Sequence, residues 1–387
     1  MNTEKSYELQ AALSQFDEFI YFPSIDWNHS WERQQTLISA FCNSHAPKHG
    51  VTICPTGLID YAPWNINGIK AIFNPEKLNL KSKPVHTIND VPVNMEYVQP
   101  KFNRGTNSVF SALMIFSNRR LQELSRKQGQ RLVFASYVND LVQYYLKTAD
   151  FTILDLAERR QANRRLSTYT LNLERQWASK CDLVVVDSII TKNDYDAQRK
   201  LTNRSDIEVI PQGFTLPNII SVINKPENIA VYLGNFHDAI DYEYLGKLID
   251  INMGWQFKFC GTVMSDFAYQ IISRPNVNYV GSIHKNEISN FLVDASYGLI
   301  PYLVNDWTAG VFPTKLFEYL GHRLPVLSTA LPEVMRFADS RFVHISNSPI
   351  VLNPPYIIPE EIDAFNYLNT WSVRLSDYAK AITTATK

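Results

Sequence analysis

Short, β-branched apolar runs alternate with helix-forming stretches along this chain, and the alternation stops and restarts once. In the first half the runs are FDEFIYFPSI, KHGVTICPT, QRLVFASY, DFTILDL, CDLVVVDSII and DIEVIPQGF; in the second they are IAVYLGNF, WQFKFCGT, VNYVGSI, YGLIPY and LPVLST. None alternates strictly between apolar and polar residues, so each strand is expected to be covered on both faces, as in a parallel sheet. Helical stretches at 31–44, 140–147 and 171–178, and in YEYLGKLID, EISNFLVDA and TKLFEYLGH, supply the crossovers that parallel strands need. The break falls at TLPNIISVINKPENI, with two prolines and polar spacers. The expectation is an α/β chain of two Rossmann-like parallel-sheet domains facing across a cleft. Their bounds are 1–215, a linker at 216–228, 229–358, and a helical segment at 359–387 crossing back to the first domain. Ligands of such sheets bind beyond the carboxyl ends of the strands.

Bulk properties narrow the partners. A net charge of −1 gives no general attraction to nucleic acid. The four cysteines form no CxxC pair and read as buried thiols of a reducing compartment. No apolar run reaches the roughly 18 residues that a membrane span requires. The N-terminus has no signal-peptide pattern, so a cytoplasmic protein is expected. The stretch 101–131 carries seven Lys/Arg and one acid around the apolar SVFSALMIF. It reads either as a core-facing helix with a solvated basic end or as a peripheral contact with an anionic membrane, at the inner face.

The stretch FPTKLFEYLGHRLPVLST reads as a short helix followed by a buried strand. Lys315 and Glu318 share one face of that helix. Either they form a solvated ion pair, or they grip one ligand, with Thr314, Lys315 and the first-turn amides on an anion and Glu318 on two hydroxyls. Hydrogen bonds to a charged group of that kind contribute about 1.5–3 kcal/mol each. Gly321 is expected to end the helix in the left-handed conformation. Gly234 and Asn235 follow the first strand of the second half, where a glycine allows close approach of a diphosphate or simply a turn. Gly281, Ser282, His284 and Lys285 occupy a strand-to-helix loop, which either faces a planar base or is an ordinary helix start capped by Asn286. In the first half, Asp26, His29, Arg33 and Gln35 follow the first strand, and Asp155 ends another. Asp26, His29 and Asp155 are candidate bases, with helix capping as the competing account for both aspartates. Asp194 and Asp196 form a DxD that is expected to open a helix rather than hold a metal. No other cluster has metal-ligand spacing, so neither a metal nor a cofactor is expected.

Taken in order, DLVVVDS, EVIPQGF, VYLGNF, VNYVGSI, LIPY and FPTKLFEYLGHRLPVLST resemble the motif series of the GT-B glycosyltransferases, over about half the chain. Within that class the chain is most similar to bacterial cell-surface polysaccharide transferases of the teichuronic acid and exopolysaccharide glucuronosyltransferase kind. WERQQ resembles their W.RPQ, with Gln34 in place of proline. The resemblance implies a UDP-sugar donor, with Glu318 on the ribose, Lys315 and the helix start on the diphosphate, Gly234 and Asn235 near phosphates or sugar, and the loop after Val280 at the base. It implies a glycan or lipid-linked acceptor on the first domain, where Arg33 and Gln35 lie. Many retaining members carry a glutamate eight residues before the ribose-binding one, and here that position is Gly310. An inverting route with Asp155 or Asp26 as base is therefore the expectation. A UDP-sugar 2-epimerase and a non-catalytic GT-B scaffold share the architecture and stay open at this point.

Overall fold

The computed structural model describes residues 3–24, 33–54, 87–88, 91–95, 129–157, 159–163, 166–202, 204, 206–217 and 228–387. Asp26, His29, most of the linker and residues 101–128 of the basic segment lie outside them. The chain divides into two compact units: Met1–Pro211 together with Arg374–Lys387, and Gln212–Val373.

Unit 1 is built on one sheet. Its strands are β1 (Glu18–Phe22), β2 (Val51–Ile53), β3 (Thr87–Ile88), β4 (Val91–Met95), β5 (Arg131–Ala135), β6 (Phe151–Leu156), β7 (Leu183–Val186) and β8 (Glu208–Val209). They run in the order β3-β4-β2-β1-β5-β6-β7-β8. Every pairing is parallel except β3 with β4. Strands β1, β5, β6 and β7 are buried at every residue, which is why their sequences do not alternate. The helices α1 (Thr3–Leu13), α2 (Arg33–Ser44), α3 (Asp140–Thr148), α4 (Thr168–Ala178) and α5 (Ile189–Lys200) belong to the same unit. Two elements were not expected: α1, which packs on α2, and the β3–β4 edge pair. The DxD does not open a helix. Ser188 caps α5, and the two aspartates lie in its middle, Asp194 paired with Arg159 at 2.8 Å and Asp196 with Lys200 at 2.7 Å.

A buried ion pair ties this unit together. Arg33, at the start of α2, bonds Asp155 of β6 through Nε (3.0 Å) and Nη2 (3.0 Å), and Nη2 also donates to the Tyr378 hydroxyl at 2.6 Å. The side chains of Arg33 and Asp155 are 4% and 0% exposed.

Unit 2 carries β9 (Ile229–Leu233), β10 (Gln256–Cys260), β11 (Val277–Tyr279), β12 (Tyr297–Ile300), β13 (Val326–Ser328) and β14 (Val343–Ile345), in the order β11-β10-β9-β12-β13-β14 and parallel throughout. This is the doubly wound arrangement, whose order reverses between β9 and β12. The helices are α6 (Tyr242–Ile251), α7 (Phe267–Ile272), α8 (Ile288–Leu292), α9 (Lys315–Gly321), α10 (Pro332–Met335) and α11 (Pro359–Leu368). The helical end of the chain is in two pieces, α11 and α12 (Trp371–Ala385). The joint between them is held by Phe214, whose N–H donates to the Asn369 carbonyl and whose carbonyl accepts from Trp371. From Arg374 onward α12 belongs to unit 1 and carries Tyr378. Among the described residues no helix is long and apolar enough to cross a membrane.

Removing one member of a buried ion pair strands the other charge and costs about 3–5 kcal/mol. Asp155→Ala is expected to destabilise unit 1 by that order, and the double variant Arg33→Met/Asp155→Leu to recover most of the loss. Urea denaturation of the three proteins is the check; equal midpoints for Asp155→Ala and the parent would refute it.

Candidate functional site

Strands β9 and β12 stay paired for only two residues, Ala230 with Tyr297 and Val231 with Gly298. Beyond that point a tyrosine links them. The Leu233 N–H donates to the Tyr319 hydroxyl at 2.8 Å, and that hydroxyl donates to the Leu299 carbonyl at 3.3 Å. The Tyr319 ring lies against Gly298, where a Cβ would come within 2.3 Å of it. Burial pushes the Tyr319 phenol well above its ordinary pKa, so it remains a donor. The sheet is thus wedged open at the point where its strand order reverses, which is where doubly wound sheets bind ligands.

Lys315 reaches this point from the start of α9. Its Nζ donates to the Tyr302 hydroxyl at 2.8 Å and lies 5.5 Å and 5.7 Å from the ring centroids of Tyr302 and Tyr232. Gly234, at φ +138°, makes the approach possible. A Cβ there would sit 2.3 Å from Lys315 Cε and 2.7 Å from Nζ. Lys315 and Glu318 do not pair. The Glu318 carboxylate, half-buried, has no protein partner among the described residues.

Three loops beyond the strand ends are stitched to one another. Asn235 accepts from the Thr262 N–H through Oδ1 (3.1 Å) and from the Tyr232 hydroxyl through its carbonyl (3.0 Å). Thr262 and Ser282 share a hydroxyl bond of 3.0 Å, and the Gly261 N–H donates to the Gly281 carbonyl at 2.8 Å. Gly261, at φ +132°, touches the neighbouring loop backbone to backbone: a Cβ would lie 2.1 Å from the Gly234 carbonyl oxygen.

Several expectations change. The first turn of α9 is tighter than expected: the amides of Leu316 and Phe317 donate to Pro313 and Thr314, so fewer remain for an anion than the sequence suggested. Thr314 is exposed at the N-cap, and its side chain makes no capping bond. Gly321 does not supply the left-handed residue; Arg323 does, at φ 55°, within a Schellman end in which Arg323 and Leu324 donate to Leu320 and Tyr319. Gly321 instead leaves room for Phe214, whose ring would lie 3.0 Å from a Cβ there. The helix near His284 starts with Glu287 reaching back to the His284 N–H at 2.7 Å, not with Asn286. His284 itself is exposed. In unit 1, Arg33 and Gln35 are buried rather than presented to an acceptor. Asp155 is sealed by Arg33, whose guanidinium occupies both of its carboxylate oxygens. The structure therefore gathers Lys315, Gly234, Asn235, Gly281 and Ser282 at the carboxyl ends of the strands, with Glu318 one turn along α9. Among the described residues no three His, Cys, Asp or Glu side chains converge as metal ligands do.

Four residues of this site were not anticipated: Tyr232, Tyr302, Tyr319 and His237. The signal was present in VYLGNFH, IPYL and EYL, but tyrosines in apolar runs read as core. His237 is half-buried, with Nδ1 accepting from the Ala239 N–H at 3.1 Å and its ring 5.7 Å from that of Tyr302.

The two strand-end glycines differ in what a side chain would strike. At Gly261 it is backbone, at Gly234 the far end of a lysine. Strained or colliding backbone of this kind costs about 1–3 kcal/mol. Gly261→Ala is expected at or above the top of that range and Gly234→Ala near the bottom, because Lys315 can swing away. Thermal unfolding of the two variants decides, and equal losses would refute the assignment.

No protein-family model matches the chain. A stretch of 166 residues is 25% identical to TuaH of Bacillus subtilis (strain 168), named as a teichuronic acid biosynthesis glycosyltransferase. The match covers 39% of this chain and 42% of that protein, so it spans less than half of the relative's length. Among solved structures, the lipopolysaccharide outer core galactosyltransferase WaaB aligns over 95% of this chain and 99% of its own, at TM-score 0.60 and 12% identity. Anabaena HepE, in complex with UDP and glucose, aligns over 96% and 95% at TM-score 0.55 and 11% identity. Sucrose-phosphate synthase from Thermosynechococcus elongatus aligns over 95% and 94% at TM-score 0.58 and 13% identity. With two doubly wound units in series and these alignments over nearly its whole length, the chain has the GT-B fold and resembles bacterial nucleotide-sugar transferases built on it.

Proposed function

We propose that the protein is a glycosyltransferase that takes a sugar from a UDP-sugar bound to unit 2 and passes it to a hydroxyl of a surface polysaccharide or lipid-linked glycan. The observation that carries this reading is the Lys315–Glu318 pair. The ammonium is held by tyrosines at the reversal of the sheet, and the carboxylate one turn away has no protein partner among the described residues. A cation and an acceptor-only group at that spacing suit a diphosphate and the hydroxyls of a ribose. The UDP and UDP-glucose complexes of HepE and the teichuronic acid role in the name of TuaH support the donor and acceptor classes by likeness. A hexosyl- or glucuronosyltransferase is the subclass proposed.

When the bond between sugar and diphosphate breaks, negative charge develops on the leaving phosphate oxygen. Lys315 stabilises that charge, already oriented by Tyr302, so no reorganisation is needed during the reaction. Metal independence belongs to the same reading, because the DxD carboxylates are taken by Arg159 and Lys200. For an inverting route the base would be Asp26 or His29, since Asp155 is engaged by Arg33.

UDP is expected to raise the melting temperature, by an amount corresponding to about 2.7 kcal/mol at a hundred times the dissociation constant. Glu318→Ala should weaken UDP binding about tenfold or more, as should Lys315→Met. The cycle with 2′-deoxy-UDP is the sharper test. Removing the hydroxyl should cost affinity in the parent and almost none in Glu318→Ala. An equal loss in both proteins would separate Glu318 from the ribose.

A further inference from the structure

The segment after β9 does not simply turn away into α6. It doubles back against the segment after β12. Asp241 donates its N–H to the Pro301 carbonyl, Leu303 donates to the Ala239 carbonyl, and Ile240 bridges Tyr302 in antiparallel sense. This pairing sets His237 and Lys315 on the same tyrosine. Lys315 bonds the Tyr302 hydroxyl at 2.8 Å, and the His237 ring meets the Tyr302 ring edge-on at 5.7 Å and 62°. The tautomer of His237 follows from the hydrogen bond at Nδ1. Because Nδ1 accepts the Ala239 N–H, the neutral ring carries its proton on Nε2 and offers it as a donor. The Tyr242 hydroxyl, which donates to the His237 carbonyl, fixes the backbone beneath.

We propose that His237 is a second ligand for the donor's diphosphate, presenting Nε2–H beside the Lys315 ammonium and taking up a proton at the ring as the diphosphate binds. This rests on the donor-site reading above. Among the described residues the charged or titratable groups around His237 are Lys315 from α9, Tyr302 from beyond β12, Asp238 in its own loop and Tyr242 of α6, whose hydroxyl lies on the His237 carbonyl. In the unliganded protein burial, and then the Lys315 charge, hold the imidazole below its usual pKa against the opposing charge of Asp238. A diphosphate reverses the balance, because it neutralises the ammonium and adds negative charge of its own. The folded pKa therefore rises on binding. The sign follows: affinity is greatest below the free-state value, and the gain is lost as pH rises through the bound-state value. Protonation breaks the Nδ1 contact with Ala239, since both ring nitrogens then donate, so the loop carrying His237 shifts when the charge appears.

The test is calorimetric titration with UDP of the parent, His237→Asn and His237→Gln, near about pH 6 and about pH 8. The ionisation of UDP itself is common to all three proteins and drops out of the comparison. Asn keeps an acceptor for the Ala239 N–H, and Gln keeps a donor where Nε2 lies, so neither substitution removes the loop's internal support. His237→Asn is expected to bind about tenfold more weakly than the parent near pH 6, and the gap to close to about twofold near pH 8. His237→Gln should recover affinity near pH 8 without the extra gain at low pH. Titration in two buffers of different ionisation enthalpy should show greater proton uptake by the parent than by either variant. Equal affinity and equal proton uptake in parent and His237→Asn, with UDP binding still dependent on Lys315, would overturn this inference and leave the donor site standing. Failure of the parent to bind UDP would overturn both.

Discussion

A lysine ammonium at the end of a sheet is held here by tyrosines rather than by a carboxylate, and the character of the site follows from that choice. A carboxylate within 4 Å would hold Lys315 firmly and cancel its charge in the same contact. The Tyr302 hydroxyl and the Tyr232 ring orient the ammonium and leave its charge for another partner. Burial keeps the Tyr232 and Tyr319 phenols well above their ordinary pKa, so neither becomes a phenolate that would neutralise the lysine. The arrangement needs three coincident permissions in the backbone. Residue 234 must have no Cβ, residue 298 must admit the Tyr319 ring, and the strands on either side must part after two residues of pairing. These are distant in sequence and meet only because a doubly wound sheet reverses its order between β9 and β12.

Which parts of this were legible in the sequence follows from the range of the forces involved. Strands such as IAVYL and LVVV were readable because burial on both faces erases alternation, a local signature. That Lys315, Gly234 and Gly281 lie at the carboxyl ends of the strands was readable because each falls just past a strand or at the first turn of a helix. The tyrosines were not. Tyr232, Tyr302 and Tyr319 sit inside apolar runs, and a phenol in such a run looks like core until its hydroxyl is seen to bond across elements. His237 was missed for a related reason, since its role depends on a loop doubling back onto Tyr302. The end of α9 was misassigned because glycine is the usual left-handed residue. Here Arg323 accepts that conformation while its guanidinium bonds Asp363 at 2.6 Å, and the glycine is needed for space beside Phe214.

Two acid–base pairs in this chain invert what spacing alone suggests. Lys315 and Glu318 are three residues apart on one helix and stay separate. Arg33 and Asp155, 122 residues apart, form a bidentate pair closed off from water. The difference lies in what surrounds each cation. Lys315 leaves its helix toward a sheet end lined with phenols, a surface that orients a charge without quenching it. Arg33 enters the interior of unit 1, where a guanidinium must find a carboxylate, and it finds one on β6 and the Tyr378 hydroxyl on α12. A buried charge in low dielectric has to be neutralised by the protein itself, whereas a half-buried one at a strand end can be completed by a ligand. On that criterion Arg33 and Asp155 complete each other in the interior of unit 1, whereas the half-buried Glu318 carboxylate has no protein donor among the described residues.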